Sequence, residues 1–154
     1  PVVGVLESPA LKKTVAARHG SGVTLDGRPS GVRQSVRREQ PVMMTGPRAF
    51  MNSVANDMPE EVHKIPFVPS LAWRLAMVAT GEIDVALARA SAQDWDLAAA
   101  DIIAHEAGAR LTDLEGQQLS YNCQSTRHGT LVASPSTRHE EMLDLARQAM
   151  NKQP

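Results

Sequence analysis

The feature of this sequence that most constrains its fold is a change of pattern near residue 41. Before that point, two β-rich runs at 2–6 and 14–18 are followed by turn-forming sequences, GSG at 20–22 and DGRP at 26–29. Short strands separated by glycine-rich turns are typical of antiparallel hairpins. We therefore expect the chain to begin with an antiparallel sheet.

After a polar connector at roughly 30–40, short apolar runs alternate with segments of helical periodicity. The run at 42–46 is of the kind that lies buried in a parallel sheet. Further strands are predicted at 62–67, 83–88, 110–113, 116–121 and 130–134, and helices at 50–56, 71–80 and 95–107, with a last helix through Met142, Leu145 and Met150. This order predicts a layered α/β fold in which antiparallel strands are followed by a mixed α/β unit.

Residues that cap helices mark where the predicted helices begin. Ser70 is expected to cap the second helix and Asp94 the third, because short polar side chains can accept hydrogen bonds from the first free N–H groups. Thr137 with Glu140 has the spacing of a capping box for the last helix.

The composition limits the classes of function that such a fold can serve. Apolar residues make up 42% of the chain and charged residues 21%, which is the balance of a globular protein. The formal net charge is −1 and no long basic run occurs, so binding to a nucleic-acid polymer or a membrane is not expected. No window reaches the roughly 18 apolar residues of a spanning helix. Because Cys123 is the single cysteine, a reducing compartment, the cytoplasm, is the simpler expectation.

The stretch DWDLAAAD at 94–101 carries the most informative chemistry. It places Asp94 and Asp96 at the start of a predicted helix, where free N–H groups and the helix dipole stabilise negative charge. A carboxylate held there can bind a hard cation such as Mg²⁺, and the same helix end can accept a phosphate. Spacing alone favours a structural role, in which Asp94 caps the helix and Asp96 compensates its dipole on the surface.

Several motifs, in order along the chain, resemble those of the inositol monophosphatase family. WDLAA at 95–99 with EAG at 106–108 is similar to the family's W-D-x-A-A-G and E-A-G-G signature, and PVVGV at 1–5 resembles one of its strands. ARHGSG at 17–22 resembles its hairpin, and VATGEID at 78–84 resembles its V-A-x-G-x-x-D segment. These matches extend over nearly the whole chain.

The resemblance implies the carboxyl-terminal half of a layered α/β/α/β/α sandwich. Residues 1–40 would be the end of an amino-terminal antiparallel sheet domain, and residues 41–154 a carboxyl-terminal α/β domain. The implied activity is Mg²⁺-dependent hydrolysis of a phosphate monoester of a small phosphorylated metabolite. Members of the family are commonly dimers, so a homodimer is expected.

The resemblance also implies roles for particular residues. Asp96 matches the aspartate that binds metal and contacts substrate, and Ser70 and Leu71 match a segment that approaches the non-phosphate part of the substrate. We expect Asp96 to face an open cleft and Trp95 to be largely buried. Arg89 stands where inositol-specific members have a substrate-binding glutamate. An arginine there is similar to bacterial 3′(2′),5′-bisphosphate nucleotidases and could pair with a second phosphate, or it is a surface residue at a strand end.

One part of the family pattern has no counterpart in this sequence. The early glutamate and the D-P-x-D-G-T motif supply most metal ligands in the family, and the sequence opens without Met on a strand-like run. We therefore expect a further segment upstream of Pro1, and we expect this chain alone to be inactive, since one carboxylate cannot hold Mg²⁺ tightly. The substrate is left open between a 3′(2′),5′-bisphosphate nucleotide, inositol monophosphate and histidinol phosphate. A non-catalytic module that binds a ligand or a partner is the alternative of a different class.

Overall fold

A computed structural model describes residues 1–32 and 40–152, so most of the predicted connector lies outside the described residues. The strands are β1 (Val3–Ser8), β2 (Lys13–Arg18), β3 (Val23–Leu25), β4 (Arg28–Ser30), β5 (Val42–Thr45), β6 (Val62–Lys64), β7 (Val85–Ala88), β8 (Ala109–Asp113) and β9 (Leu131–Pro135). The helices are α1 (Arg48–Asn56), α2 (Leu71–Ala79), α3 (Asp94–Glu106) and α4 (His139–Asn151). None of these four helices has the length and apolar character that crossing a bilayer requires.

The first sheet has the order β1-β2-β3-β4, and each neighbouring pair is antiparallel. The β3–β4 hairpin closes through Asp26 and Gly27, which have φ angles of 51° and 75°. Positive φ at both turn residues gives the tight turn whose twist matches two antiparallel strands. The Asp26 carboxylate also accepts a hydrogen bond from the Thr14 N–H at 2.8 Å. The predicted antiparallel opening is thus confirmed.

The second sheet has the order β6-β5-β7-β9-β8 and is mixed. β5 runs parallel to β6 and β7, whereas β9 runs antiparallel to β7 and β8. All four residues of β7 are buried, as expected for a central strand covered on both faces. The strand predicted at 116–121 is reduced to one bridge between Thr112 and Gln118. A turn at 114–115 precedes this bridge, and the Asp113 carboxylate accepts a hydrogen bond from the Gln117 N–H at 2.8 Å.

Helices α2 and α3 lie between the two sheets. Val15 of the first sheet shares an apolar cluster with Trp73 of α2 and Ile103 of α3. The opposite sides of these helices pack on the second sheet, whose far face is covered by α1 and α4. The described residues thus form four layers in the order β, α, β, α, which confirms the predicted α/β class. The domain boundary placed between 1–40 and 41–154 stays a prediction.

Helix α3 lies close against β1 at Gly4. A Cβ atom at Gly4 would come within 2.5 Å of both the Ala99 carbonyl oxygen and the Ile102 side chain. A larger residue at this position would push the helix away from the sheet, because packed interiors have no spare volume. The close packing therefore sets the position of α3 and of the residues at its first turn.

The cap predicted for α3 is wrong. The helix begins at Asp94, and its N-cap is Gln93, which has extended backbone angles (φ −111°, ψ 161°). The Asp94 carboxylate instead contacts a distant loop, where it accepts a hydrogen bond from the Asn122 N–H and pairs with His128. Asp94 is thus used in tertiary contacts and not in capping its own helix.

The capping box predicted for Thr137 and Glu140 is also not formed. Arg138 is the N-cap of α4, without a side-chain cap hydrogen bond, and its backbone is already near-helical (φ −116°, ψ −2°). The Arg138 N–H donates to the Pro135 carbonyl oxygen at 2.9 Å. A turn therefore leads directly into the helix and does not require an extended capping residue.

Candidate functional site

The four predicted site residues line one open depression on the surface. Ser70 and Leu71 lie at the start of α2, Arg89 follows β7, and Asp96 lies in the first turn of α3. The depression has a volume of about 510 Å³, which is within the range of small-molecule sites. The ends of three elements that are distant in sequence therefore meet at this depression, and the roles predicted for the four residues stay predictions.

Asp96 is held in a fixed orientation within the first turn of α3. Its Oδ2 accepts a hydrogen bond from the Gln93 N–H at 2.9 Å, and the Gln93 side-chain oxygen accepts one from the Thr126 hydroxyl at 2.8 Å. The residue is half-buried. Because the first turn of a helix carries a partial positive charge, a second anion can approach this carboxylate more easily than on an open surface.

Hydrogen bonds from a loop outside the helix also hold the first turn of α3 in place. Asp94 Oδ1 lies 2.7 Å from His128 Nε2, and Asp94 Oδ2 accepts the Asn122 N–H at 3.0 Å. The hydrogen bond from His128, and next that from Asn122, hold the pKa of Asp94 below its usual value. The Tyr121 hydroxyl donates to Asp101, about two turns further along α3, at 2.9 Å. The loop is thus tied to two turns of the helix, which fixes the turn that carries Asp96.

The start of α2 forms another wall of the depression. The Ser70 hydroxyl oxygen accepts a hydrogen bond from the Trp73 N–H at 3.2 Å, so the predicted helix cap is confirmed. Leu71 is half-buried, whereas Ser70 and Arg89 are exposed at the rim. The Ser70 hydroxyl is already hydrogen-bonded to the helix. This segment therefore contributes mainly its backbone and the Leu71 side chain to the depression.

Arg74 also lines the depression, and sequence reasoning missed it. It is 7% exposed, and its Cζ lies 5.2 Å from the centre of the Phe67 ring. Burial lowers the pKa of Arg74. A signal was present, because Arg74 is the single charged residue in the otherwise apolar helix LAWRLAMVA. A cation in such a helix requires either a buried partner or an opening to a site.

The expectation that Trp95 is largely buried is wrong. Trp95 is 74% exposed and lines the depression. Successive helical residues are rotated by about 100°, so Trp95 points away from Leu97, which is completely buried. The turn can pack Leu97 into the core only by directing Trp95 outwards.

The described residues hold too few ligands for a metal centre of their own. Nowhere in ranges 1–32 and 40–152 do three or more His, Cys, Asp or Glu side chains gather as ligands for an ion. Asp96 is the one carboxylate among the described residues that line the depression. Mg²⁺ prefers octahedral oxygen coordination, in which waters and phosphate oxygens join carboxylates. Asp96 fits as one member of such a set, and the described residues do not supply the rest.

The chain belongs to the inositol monophosphatase family. The sequence profile of this family matches residues 1–151. The resemblance carried by the motifs is therefore confirmed over almost the full length of the chain.

Two relatives and one solved structure show how the match is distributed. A fructose-1,6-bisphosphatase/inositol-1-monophosphatase from Thermotoga maritima is 32% identical over 117 residues, covering 75% of this chain and 45% of the relative. A histidinol-phosphatase from Mycobacterium tuberculosis is 30% identical over 155 residues, covering 93% of this chain and 56% of the relative. The structure of an inositol monophosphatase from Thermotoga maritima superposes with a TM-score of 0.79 at 28% identity, covering 97% of this chain and 57% of that one. The chain thus spans about half the length of the curated relatives it matches, and its fold matches the corresponding part of the solved structure.

Proposed function

We propose that this chain forms the substrate-facing part of a Mg²⁺-dependent phosphatase that hydrolyses a phosphate monoester of a small metabolite. The observation that carries this proposal is the convergence of Asp96, Ser70, Leu71 and Arg89 on one open depression. Family membership supports hydrolysis of a phosphate ester as the class of reaction.

In this proposal Asp96 binds metal and faces the phosphate. Its carboxylate is oriented by the Gln93 N–H, and the positive end of α3 lies beside it. Bound Mg²⁺ would neutralise charge on the phosphoryl group. Since a single carboxylate does not hold Mg²⁺ tightly, we expect the remaining ligands to come from outside this chain and the chain alone to be inactive.

Arg89 favours a substrate with a second phosphate. A guanidinium offers a planar pair of donors to phosphate oxygens, whereas a glutamate at this place would accept hydrogen bonds from sugar hydroxyls and repel a second phosphate. A 3′(2′),5′-bisphosphate nucleotide is therefore the substrate that we favour. Inositol monophosphate and histidinol phosphate are the alternatives, and the names of the two relatives support them.

A non-catalytic module that binds a phosphorylated ligand or a partner is the second candidate function. The observation in its favour is that Asp96 is the one carboxylate among the described residues around the depression. Such a module would bind its ligand without Mg²⁺ and would release no phosphate.

Phosphate release separates the two candidates. We would measure release from adenosine 3′,5′-bisphosphate, inositol 1-phosphate and histidinol phosphate by the 154-residue chain and by the product of the complete reading frame. We expect no Mg²⁺-dependent release by the chain alone. We expect release by the complete product, abolished by Asp96→Asn. A complete product that binds these esters but hydrolyses none of them would favour the binding module.

Substrate choice is tested at Arg89 in the complete product. Arg89→Ala should raise the KM for adenosine 3′,5′-bisphosphate about tenfold to hundredfold more than that for inositol 1-phosphate, because a charged hydrogen bond is lost. Arg89→Glu should weaken the bisphosphate further through repulsion. Arg28→Ala, at an exposed position of β4, is the control for a change in overall charge. Equal losses on both substrates would show that Arg89 does not contact a second phosphate.

We also propose that the protein is a cytoplasmic homodimer. The single cysteine supports a reducing compartment, and the common assembly of the family supports the dimer. Light scattering on the complete product would measure the assembly, and a monomeric mass would contradict it.

A further inference from the structure

Ser91 has a strained backbone conformation. Three other non-glycine residues in the described part of the chain have positive φ angles, Lys12, Asp26 and Asn122, and their values of 51° to 57° lie in the left-handed helical region that such residues occasionally adopt. Ser91 has a φ of 133°, far outside that region. A side chain at this angle costs conformational energy, and the conformation persists only where surrounding contacts impose it.

The strained residue lies between two residues of the depression. Ser91 itself lines the depression, and the short segment that contains it joins Arg89 to Asp96. Ala88, at the end of β7, and Ala92 are both buried in the same apolar cluster. Both ends of the turn are therefore fixed, and the φ angle of Ser91 sets the direction in which the chain runs from Arg89 to Asp96.

A loop that precedes β9 imposes this conformation through backbone hydrogen bonds. The Ser91 N–H donates to the His128 carbonyl oxygen at 3.1 Å, and the His128 N–H donates to the Ala92 carbonyl oxygen at 2.9 Å. Two residues further along, the Asp94 N–H donates to the Thr126 carbonyl oxygen at 3.0 Å. These bonds form a short antiparallel ladder, and they hold the turn in a conformation that Ser91 does not favour by itself.

The His128 side chain keeps the loop against this segment. Its Nε2 lies 2.7 Å from Asp94 Oδ1, and its ring centre lies 5.7 Å from that of Tyr121. The His128 side chain is 10% exposed. Removing the imidazole should therefore make the backbone bonds easier to open, because a hydrogen bond to a carboxylate and a ring contact are both lost.

We propose that Ser91 and His128 are positioning residues: His128 holds Ser91 in its strained conformation, and that conformation sets the placement of Asp96 relative to Arg89. The inference rests on the proposed function, in which Asp96 and Arg89 contact metal and substrate. Without the contacts of His128, Ser91 relaxes towards an ordinary negative φ, and the chain reaches Asp96 from a different direction. Ser91→Gly removes the reason to relax, since glycine populates positive φ at little steric cost.

Thermal unfolding of the complete product tests the strain. In an ordinary loop, a change to glycine lowers stability relative to a change to alanine, because glycine gives the unfolded chain more conformations. At Ser91 the order should be reversed, with the Tm of Ser91→Gly about 2 to 4 °C above that of Ser91→Ala, because only glycine relieves the strain. Ser120, an exposed loop residue without a positive φ, is the matched control, and Ser120→Gly should have a lower Tm than Ser120→Ala. A Tm of Ser91→Gly at or below that of Ser91→Ala would overturn the inference.

Hydrogen exchange at the Gln93 N–H tests the positioning of Asp96 without catalysis. This N–H donates to Asp96 Oδ2 at 2.9 Å, so its exchange rate reports whether the carboxylate keeps its orientation. His128→Ala should speed the exchange about tenfold, but less than about threefold when it is combined with Ser91→Gly. His63→Ala, at an exposed position of β6, is the control and should leave the exchange unchanged. Equal acceleration with and without Ser91→Gly would mean that His128 does not act through Ser91, and the inference would fail.

Phosphate release connects the positioning to the reaction. His128→Ala should lower the kcat/KM of the complete product about tenfold, and adding Ser91→Gly should restore most of it, whereas a purely structural role gives independent effects. No recovery in the double variant would contradict the inference. A complete product that hydrolyses no phosphate ester, with Tm values and exchange rates as expected, would overturn the proposed function and retain the placement of Asp96 through Ser91.

Discussion

Arg74 and Arg138 are equally buried, each 7% exposed, and their charges are compensated in opposite ways. At the start of α4, Arg138 Nη2 donates to Glu60 at 3.0 Å and to Glu141 at 3.3 Å. At the depression, Arg74 contacts the Phe67 ring and forms no ion pair within the described residues. The fold therefore can place carboxylates against a buried arginine. Around Arg74, in the described part of the chain, no carboxylate takes this position.

The largest change in the free energy of unfolding is expected for a substitution of Arg138. Arg138→Met should lower the free energy of unfolding by about 2 to 4 kcal/mol, because Glu60, whose side chain is 17% exposed, loses its cation. Urea unfolding of this variant beside Arg74→Met measures the contrast. If the two variants lose equal stability, the two arginines are not compensated differently and the comparison fails.

His139 is a third buried basic residue, and both of its ring nitrogens contact uncharged hydroxyl groups. Its ring nitrogens lie 2.8 Å from the Thr112 hydroxyl and 2.9 Å from the Ser134 hydroxyl, and burial, with a smaller effect of Arg110, lowers its pKa from 6.5 to about 4. Above pH 6.5 both folded and unfolded states are neutral, so stability there does not depend on this group. Between pH 6.5 and about 4 only the unfolded state takes up the proton, so stability should fall by roughly 2 to 3 kcal/mol and then level off.

The pH dependence of urea unfolding checks this expectation at His139. His139→Gln can still hydrogen-bond to the hydroxyls and cannot titrate, so the difference in slope between the two proteins isolates the histidine from the carboxylates. Identical slopes would mean that the buried histidine accepts a proton without cost.

A carboxylate placed beside Arg74 should give it the kind of partner that Arg138 has. Glu141 lies three residues after Arg138, and Leu71 lies three residues before Arg74. Leu71→Glu should therefore stabilise the chain by about 0.5 to 1 kcal/mol, and it should weaken binding of adenosine 3′,5′-bisphosphate. A double-mutant cycle with Arg74→Met measures the coupling. No coupling would show that the guanidinium does not reach position 71.

The smallest effect is expected at Phe67, which is 65% exposed and so contributes little to the core. Phe67→Leu should lower stability by about 0.5 to 1 kcal/mol through loss of the cation–π contact. In the Arg74→Met background the same change should have a smaller effect, which chemical unfolding can resolve. An equal effect in both backgrounds would assign the loss to apolar packing alone.

Sequence patterns predicted the features that depend on local rules. The alternation of apolar runs led to the layered α/β class. The turn at Asp26 and Gly27 led to the hairpin, because backbone conformation there is set by the residues themselves. The Ser70 cap was found in the same way. The position of Asp96 in an open depression followed from motifs of the family and not from spacing.

Features that depend on distant contacts were missed or wrong. The Asp94 carboxylate contacts His128, which lies 34 residues away, and it does not cap the helix as expected. The exposure of Trp95 depends on which face of α3 the core covers, and local sequence does not specify that face. Arg74 became a candidate only when its surroundings were known, because the absence of an acceptor is a three-dimensional property. The four predicted residues thus line one depression together with Arg74, and the roles assigned to them stay predictions.

The most direct test of the central claim is phosphate release by the complete product with and without Asp96→Asn. We expect the variant to lose a factor of about 100 or more in kcat/KM in the presence of Mg²⁺, about 2.7 kcal/mol of transition-state stabilisation. Its Tm should change little, because an asparagine oxygen can still accept the Gln93 N–H. Asp144→Asn, at an exposed site on α4, is the control and should retain full activity. An Asp96→Asn enzyme as active as this control would contradict the assignment of the depression as the catalytic site.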